Sequence, residues 1–156
     1  MSVVDVGTTA PDFTLVNQDR EPVTLSALRG QPVVLVFFPA AFSGTCTKEL
    51  CTFRDGLARL NAARAQVLGI SVDTFFALKA FQGSQQLAFP LLSDFNKQVI
   101  SLYGVFNEDM IGLKGVAKRA VFVLDGAGVV RHREVLEDAR NEPDYEKVFA
   151  ALAALR

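Results

Sequence analysis

The stretch Val33-Val34-Leu35-Val36-Phe37-Phe38-Pro39-Ala40-Ala41-Phe42-Ser43-Gly44-Thr45-Cys46 decides how this chain reads. It opens with a continuous β-branched and aromatic run, Val33 to Phe38, the pattern of a strand buried on both faces. Pro39, with its φ locked and no N–H to donate, ends that strand. Ala40 to Gly44 then reads as a loop. Beyond it the apolar positions Leu50, Phe53, Leu57 and Leu60 recur at helical intervals, predicting one amphipathic helix from about Thr45 to Arg64. Cys46 therefore falls in the first turn of the helix that follows the most buried strand. Ligand sites of open α/β sheets lie in the crevice beyond such strand ends. Unpaired amides and the helix dipole at such a terminus stabilise an anion and favour the nucleophilic thiolate. From local context alone, a small buried inert side chain accounts for Cys46 equally well.

Outward from this stretch, Phe13 to Val16 and Val23 to Leu25 read as small strands or edge pieces. On the other side, Val67 to Val72 predicts a second buried strand and Thr74 to Gln86 a helix, capped by Asp73 or Thr74. Phe89 to Ser93 is a short extended segment and Asn96 to Tyr103 a short helix. Ala120–Leu124 and Val129–Val135 flank Asp125-Gly126-Ala127-Gly128, a hairpin signal. Glu142 to Leu155, with Pro143 near its start, predicts a closing amphipathic helix. No internal repeat or linker composition divides the chain, so residues 1–156 are read as a single domain. Strands joined by helices followed by a hairpin describe an α/β protein with a central mixed sheet flanked by helices. A thioredoxin-like fold with an N-terminal extension suits this order, and by pattern alone so does a flavodoxin-like one.

Composition narrows the function. The chain has 156 residues, half of them hydrophobic, and a mean hydropathy of +0.26, which excludes disorder. Sixteen basic and seventeen acidic residues leave a net charge of -1 and no basic patch, so nucleic acid is not an expected partner. The longest apolar run, Val33 to Phe42, is about half of the roughly 20 residues a membrane span needs, and no membrane partner is expected. The N-terminus resembles neither a secretory signal nor a transit peptide, so a cytoplasmic location is expected. Two cysteines and one histidine, His132, cannot supply the four ligands of a structural zinc site, and no metal or cofactor is expected. In a reducing compartment a cysteine pair is more often redox-active than a structural staple. Cys51 follows Cys46 by five residues. On one regular helix the pair would lie about 7.5 Å apart along the axis and point to different faces. That exceeds the reach of a disulfide unless the helix unwinds. Either the two form a redox pair that closes through a conformational change, or one is active and the other is core.

Pro39-Ala-Ala-Phe-Ser43-Gly-Thr-Cys46 resembles the P-x-x-x-[TS]-x-x-C signature of the peroxiredoxins, thiol peroxidases built on a thioredoxin fold. Thr47-Lys48-Glu49 is similar to that family's continuation, and further matches span Ala10–Phe13, Leu68–Ser71, Phe89–Asp94, Tyr103–Val105 and Arg119–Asp125. Cys46-x-x-x-x-Cys51 with Phe53-Arg54-Asp55 resembles the Q-type, or bacterioferritin co-migratory protein, branch. Phe106-Asn107-Glu108 also resembles the one-cysteine alkyl hydroperoxide reductase E group.

The resemblance implies a peroxidase for hydrogen peroxide and organic hydroperoxides, recycled by a thioredoxin-like donor and assembled as a monomer or homodimer. It implies Cys46 as the peroxidatic nucleophile and Cys51 as the residue that resolves its sulfenic acid. Arg119 would hold the thiolate and the peroxide, Ser43 would take the place of the commoner threonine, Pro39 would shield the site, and Glu49 would position Arg119. Without the resemblance, Arg119 reads as a solvated strand residue and Glu49 as a solvated helix carboxylate. The alternatives are a one-cysteine peroxidase and a thiol–disulfide oxidoreductase, whose usual C-x-x-C motif is missing. A cysteine hydrolase using His132, which reads as an exposed strand residue, ranks lower still, and a non-enzymatic binding module requires Cys46 to be inert. Phe37, Phe38, Phe53, Phe76 and Phe122 are expected in the core, whereas Phe42 could face an apolar peroxide or a second copy.

Overall fold

The structure, a computed structural model, describes residues 2–155, the side chain of Leu57 excepted. The elements in chain order are β1 (Thr14–Asn17), β2 (Pro22–Thr24), a 3-10 turn (Leu25–Leu28) and β3 (Val33–Phe37). There follow α1 (Gly44–Asp55), α2 (Leu57–Ala62), β4 (Gln66–Ser71), α3 (Phe75–Gln85), β5 (Leu91–Ser93) and α4 (Gln98–Leu102). The chain continues with β6 (Phe106–Asn107), β7 (Val116–Ala117), β8 (Arg119–Leu124), β9 (Val130–Leu136) and α5 (Tyr145–Ala153). Among the described residues, seven strands form one sheet in the order β2-β1-β5-β4-β3-β8-β9, and β6 pairs with β7.

β3, β4 and β5 run parallel, and β8 runs antiparallel to β3 on its other side. The sheet is therefore mixed, with helices on both faces, as the thioredoxin-like reading expects. Alternation along the strands sorts the core into two layers. Val33, Leu35 and Phe37 face the N-terminal segment and α4, packing with Phe13, Ile100 and Tyr103. Val34, Val36 and Phe38 face the opposite way, against Leu50 and Phe53 of α1, Phe81 of α3 and Val148 of α5. The N-terminal extension adds β1 and β2 beyond β5.

Register brings the site residues together. Phe37, at the end of β3, stands opposite Ala120 of β8 and Ile70 of β4. Arg119 therefore lies one step past the end of β3, where the loop to Cys46 begins. Its parity with Val121 and Val123 places it on the face covered by α1 and α5. On the other side of β3, the end of β4 brings Ser71 and Asp73 to the same loop.

Four expectations need correction. The single helix from Thr45 to Arg64 is two, α1 and α2, interrupted at Gly56. A Cβ at Gly56 would lie 2.7 Å from Cζ of Phe149, so the ring of α5 fills the space a side chain would need. The closing helix begins at Tyr145, later than expected, because Asp144 caps it by accepting from the Lys147 amide. Phe76 is 70% exposed and is not core. His132 is half-buried, and desolvation lowers its pKa. Its Nε2 has no partner among the described residues, so it is not an exposed strand residue.

Candidate active site

β3 ends in Pro39, which is buried, and the following loop turns at Phe42 with a φ of 68°. Ser43 is the N-cap of α1, but its hydroxyl donates back to the Ala40 carbonyl at 2.9 Å and makes no cap bond. The first-turn amides of α1 are thus left without a side-chain cap, in the position where an anion is stabilised. Thr47 closes the turn by donating both its amide and its hydroxyl to the Ser43 carbonyl, each at 2.9 Å.

Cys46 is fully buried, and Nη1 of Arg119 donates to its Sγ at 3.2 Å. The same Nη1 donates to Oε1 of Glu49 at 2.8 Å. Nε and Nη2 both reach the Ala139 carbonyl, at 3.3 and 2.8 Å. Arg119 and Glu49 are 2% and 0% exposed, so neither is the solvated residue that the bare sequence suggests. Burial opposes the charge of Arg119, and the neighbouring Cys46 and Glu49 outweigh it, raising its pKa. For Glu49, burial dominates the pull of Arg119 and pushes the carboxyl up to about 8. The 2.8 Å bond alone suggests an ordinary ion pair. However, Arg119 is shared among the Glu49 carboxyl, the Cys46 sulfur and the Ala139 carbonyl, so burial outweighs the pairing and favours the neutral carboxyl.

Cys51 lies further along the same helix, half-buried, and its Sγ donates to Oε1 of Gln85 at 3.3 Å. Both cysteines are free, and α1 is continuous between them. Two groups escaped the sequence reading. The Ala139 carbonyl, a backbone atom in the loop before α5, carries no residue signature. Asp73 reads from the sequence only as a possible cap; Thr74 caps α3 instead, and Asp73 accepts from the Ala41 amide at 2.8 Å. Among the described residues no cluster of His, Cys, Asp or Glu is arranged to hold a metal ion, and no helix is long and apolar enough to cross a membrane.

A buried cysteine held by an arginine at the end of a thioredoxin-like sheet defines a thiol-based redox enzyme. Residues 6–133 match the model of the AhpC/TSA family. Alkyl hydroperoxide reductase E of Mycobacterium tuberculosis is 40% identical over 157 residues, covering 97% of this chain and 100% of that one. Chloroplastic peroxiredoxin Q of Sedum lineare is 42% identical over 128 residues, covering 82% of this chain and 67% of that one. Among solved structures, peroxidoxin BcpB from Mycobacterium tuberculosis matches with a TM-score of 0.86 at 35% identity, covering 97% of each chain. The chain belongs to the AhpC/TSA family of peroxiredoxins and is a thiol-dependent peroxidase.

Proposed function

We propose that Cys46 is the peroxidatic nucleophile and Cys51 the resolving thiol of a peroxidase recycled by a thioredoxin-type dithiol. The observation that carries this reading is the 3.2 Å contact between Arg119 Nη1 and the fully buried Cys46 Sγ. The Cys46 thiolate attacks one oxygen of a hydroperoxide; the O–O bond breaks, the sulfur becomes a sulfenic acid, and the alkoxide or hydroxide leaves and takes up a proton. Arg119 uses four of its five N–H donors within the protein, leaving one on Nη2 for the developing oxyanion. Glu49 and the Ala139 carbonyl orient the guanidinium. Ser43 keeps its oxygen lone pairs for the peroxide O–H while its own proton is directed to Ala40. Pro39, which has no N–H, adds no competing donor below the loop.

Resolution follows when the Cys51 sulfur attacks the sulfenic sulfur, forming a disulfide and releasing water. α1 must unwind locally for this, because a regular helix holds the two residues too far apart. A dithiol donor then reduces the disulfide. Hydrogen peroxide and small organic hydroperoxides are the proposed substrates, and every residue invoked lies on one chain. Turnover with a thioredoxin system tests the assignment: Cys46→Ser is expected to have none, and persisting activity contradicts it. Cys51→Ser is expected to oxidise once and then stall with that donor; unchanged turnover would establish a one-cysteine cycle.

A further inference from the structure

We propose that Asp73 is a positioning residue for the peroxidase step, fixing the turn that sets Cys46 against Arg119. It lies between β4 and α3, remote in sequence from the cysteine and well outside the signature around it. Its Oδ2 accepts from the Ala41 amide at 2.8 Å and from the Ser71 hydroxyl at 2.7 Å. Its backbone amide donates to the Ser71 Oγ at 3.2 Å, and its carbonyl accepts from the Ser93 hydroxyl at 2.6 Å. One residue thereby ties the loop after β3 to the ends of β4 and β5.

What it holds at Ala41 is the start of a strained turn. Phe42 has a φ of 68°, a backbone conformation that bulky side chains rarely adopt and that persists only where the surroundings enforce it. Two contacts enforce it here. The Phe42 ring packs edge-on against Phe81 of α3 at 5.1 Å, and the Asp73 link pins the preceding amide. Phe42 leads directly into Ser43, the N-cap of α1, and Cys46 stands in the first turn after it. Releasing Ala41 lets the turn relax toward ordinary φ values, which moves the helix start and shifts Sγ relative to an arginine that the Ala139 carbonyl, outside α1, holds in place. Asp73 touches neither sulfur nor guanidinium and acts through the placement of the helix.

Single-turnover oxidation of the reduced full-length chain by hydrogen peroxide, quenched and read by intact mass, tests this. Asp73→Ala is expected to lower the rate constant roughly 10- to 100-fold, the order that a misplacement of about 1 Å costs a positioned reaction. Asp73→Asn keeps an oxygen for the Ala41 amide and is expected to return the rate to within about threefold of wild type. Ser93→Ala loosens the same corner without touching the Ala41 link, and its rate is expected to stay within about twofold of wild type. A wild-type rate in Asp73→Ala overturns the proposal, and so does an equal loss in Ser93→Ala, which marks a merely structural corner. Where Asp73→Ala does not fold, Ser71→Ala, which frees Oδ2 from its second donor, is expected to slow oxidation by about threefold or more. An unchanged rate there also overturns the proposal. The inference rests on Cys46 as nucleophile, and Cys46→Ser separates the two: oxidation persisting in it removes that reading, whereas an unchanged Asp73→Ala beside an inert Cys46→Ser removes only the positioning role.

Discussion

Cys46 is wholly buried with its sulfur 3.2 Å from a guanidinium, whereas Cys51, on the same helix, is half-buried and donates to the neutral oxygen of Gln85 at 3.3 Å. The first grip is electrostatic and is reinforced by Glu49 and the Ala139 carbonyl, both of which fix the arginine. The second is one bond from a weak S–H donor. A charge-assisted bond in a dry site favours the ionised sulfur and resists displacement, and a thiol–amide bond does neither. The same residue type thus meets two environments on one helix, and the proposed cycle asks something different of each: a nucleophile held at a fixed point, and a second thiol free to leave its place if the helix opens.

Removing each sulfur gives the largest contrast. Cys46→Ser is expected to abolish peroxide consumption, since serine is not ionised near neutral pH, while Cys51→Ser should leave the first oxidation rate within about twofold; stopped-flow oxidation reads both. Equal losses in the two variants would erase the distinction between the grips.

Arg119→Met comes next, expected to slow oxidation by roughly 100- to 1000-fold, the range for losing a preorganised charged donor. Its stability, read by urea unfolding, reports on Glu49 as well. A neutral carboxyl left without its donor costs about 1–3 kcal/mol. An ionised one left buried and unpaired costs about 3–5 kcal/mol. The lower range is expected.

The charge state of Glu49 also has a pH signature. Its ordinary value is 4.5 and burial raises it to about 8 in the fold. Between these values the folded state holds one proton more than the unfolded state, so this group makes stability fall as pH rises, with no further change above about pH 8. Glu49→Gln is expected to lose that slope, so that the gap between variant and wild type widens in the variant's favour from pH 5 to about 8 in urea midpoints. Parallel curves would mean an ionised Glu49.

The smallest effect concerns the looser grip. Gln85→Ala is expected to speed formation of the Cys46–Cys51 disulfide by about threefold at most, consistent with one weak hydrogen bond, without changing the first oxidation. A slower disulfide would mean that Gln85 guides Cys51 rather than restraining it.

Much of this architecture was legible in the chain. Val33 to Phe38 and Ala120 to Leu124 announced buried strands because their composition leaves no polar face, and the Asp-Gly-Ala-Gly turn announced the hairpin partner of the second. The position of Cys46 followed from Pro39 and the helical spacing beyond it. Gly56 stands out in the helical spacing as the weakest helix former, but a lone glycine does not by itself place a break, and the Phe149 ring that occupies the space beside it arrives only through tertiary packing. Phe76 misled for the opposite reason: a helical apolar pattern shows which residues could be buried but not whether anything covers them. The burial of Arg119 depends on sheet register and that of Glu49 on where α1 docks, neither of which the sequence displays, so only their roles could be inferred, and those by resemblance. The Ala139 carbonyl had no side-chain identity to read, and Asp73 stood beside a better cap, which concealed its link to Ala41.

The most direct measurement is the intact mass of the reduced protein seconds after one equivalent of hydrogen peroxide. The account predicts loss of two hydrogens with both thiols closed to alkylation, and gain of one oxygen when Cys51 is replaced by serine. A wild-type chain that keeps the single oxygen would contradict resolution by Cys51, and a chain whose mass does not change would contradict Cys46 as the peroxidatic residue.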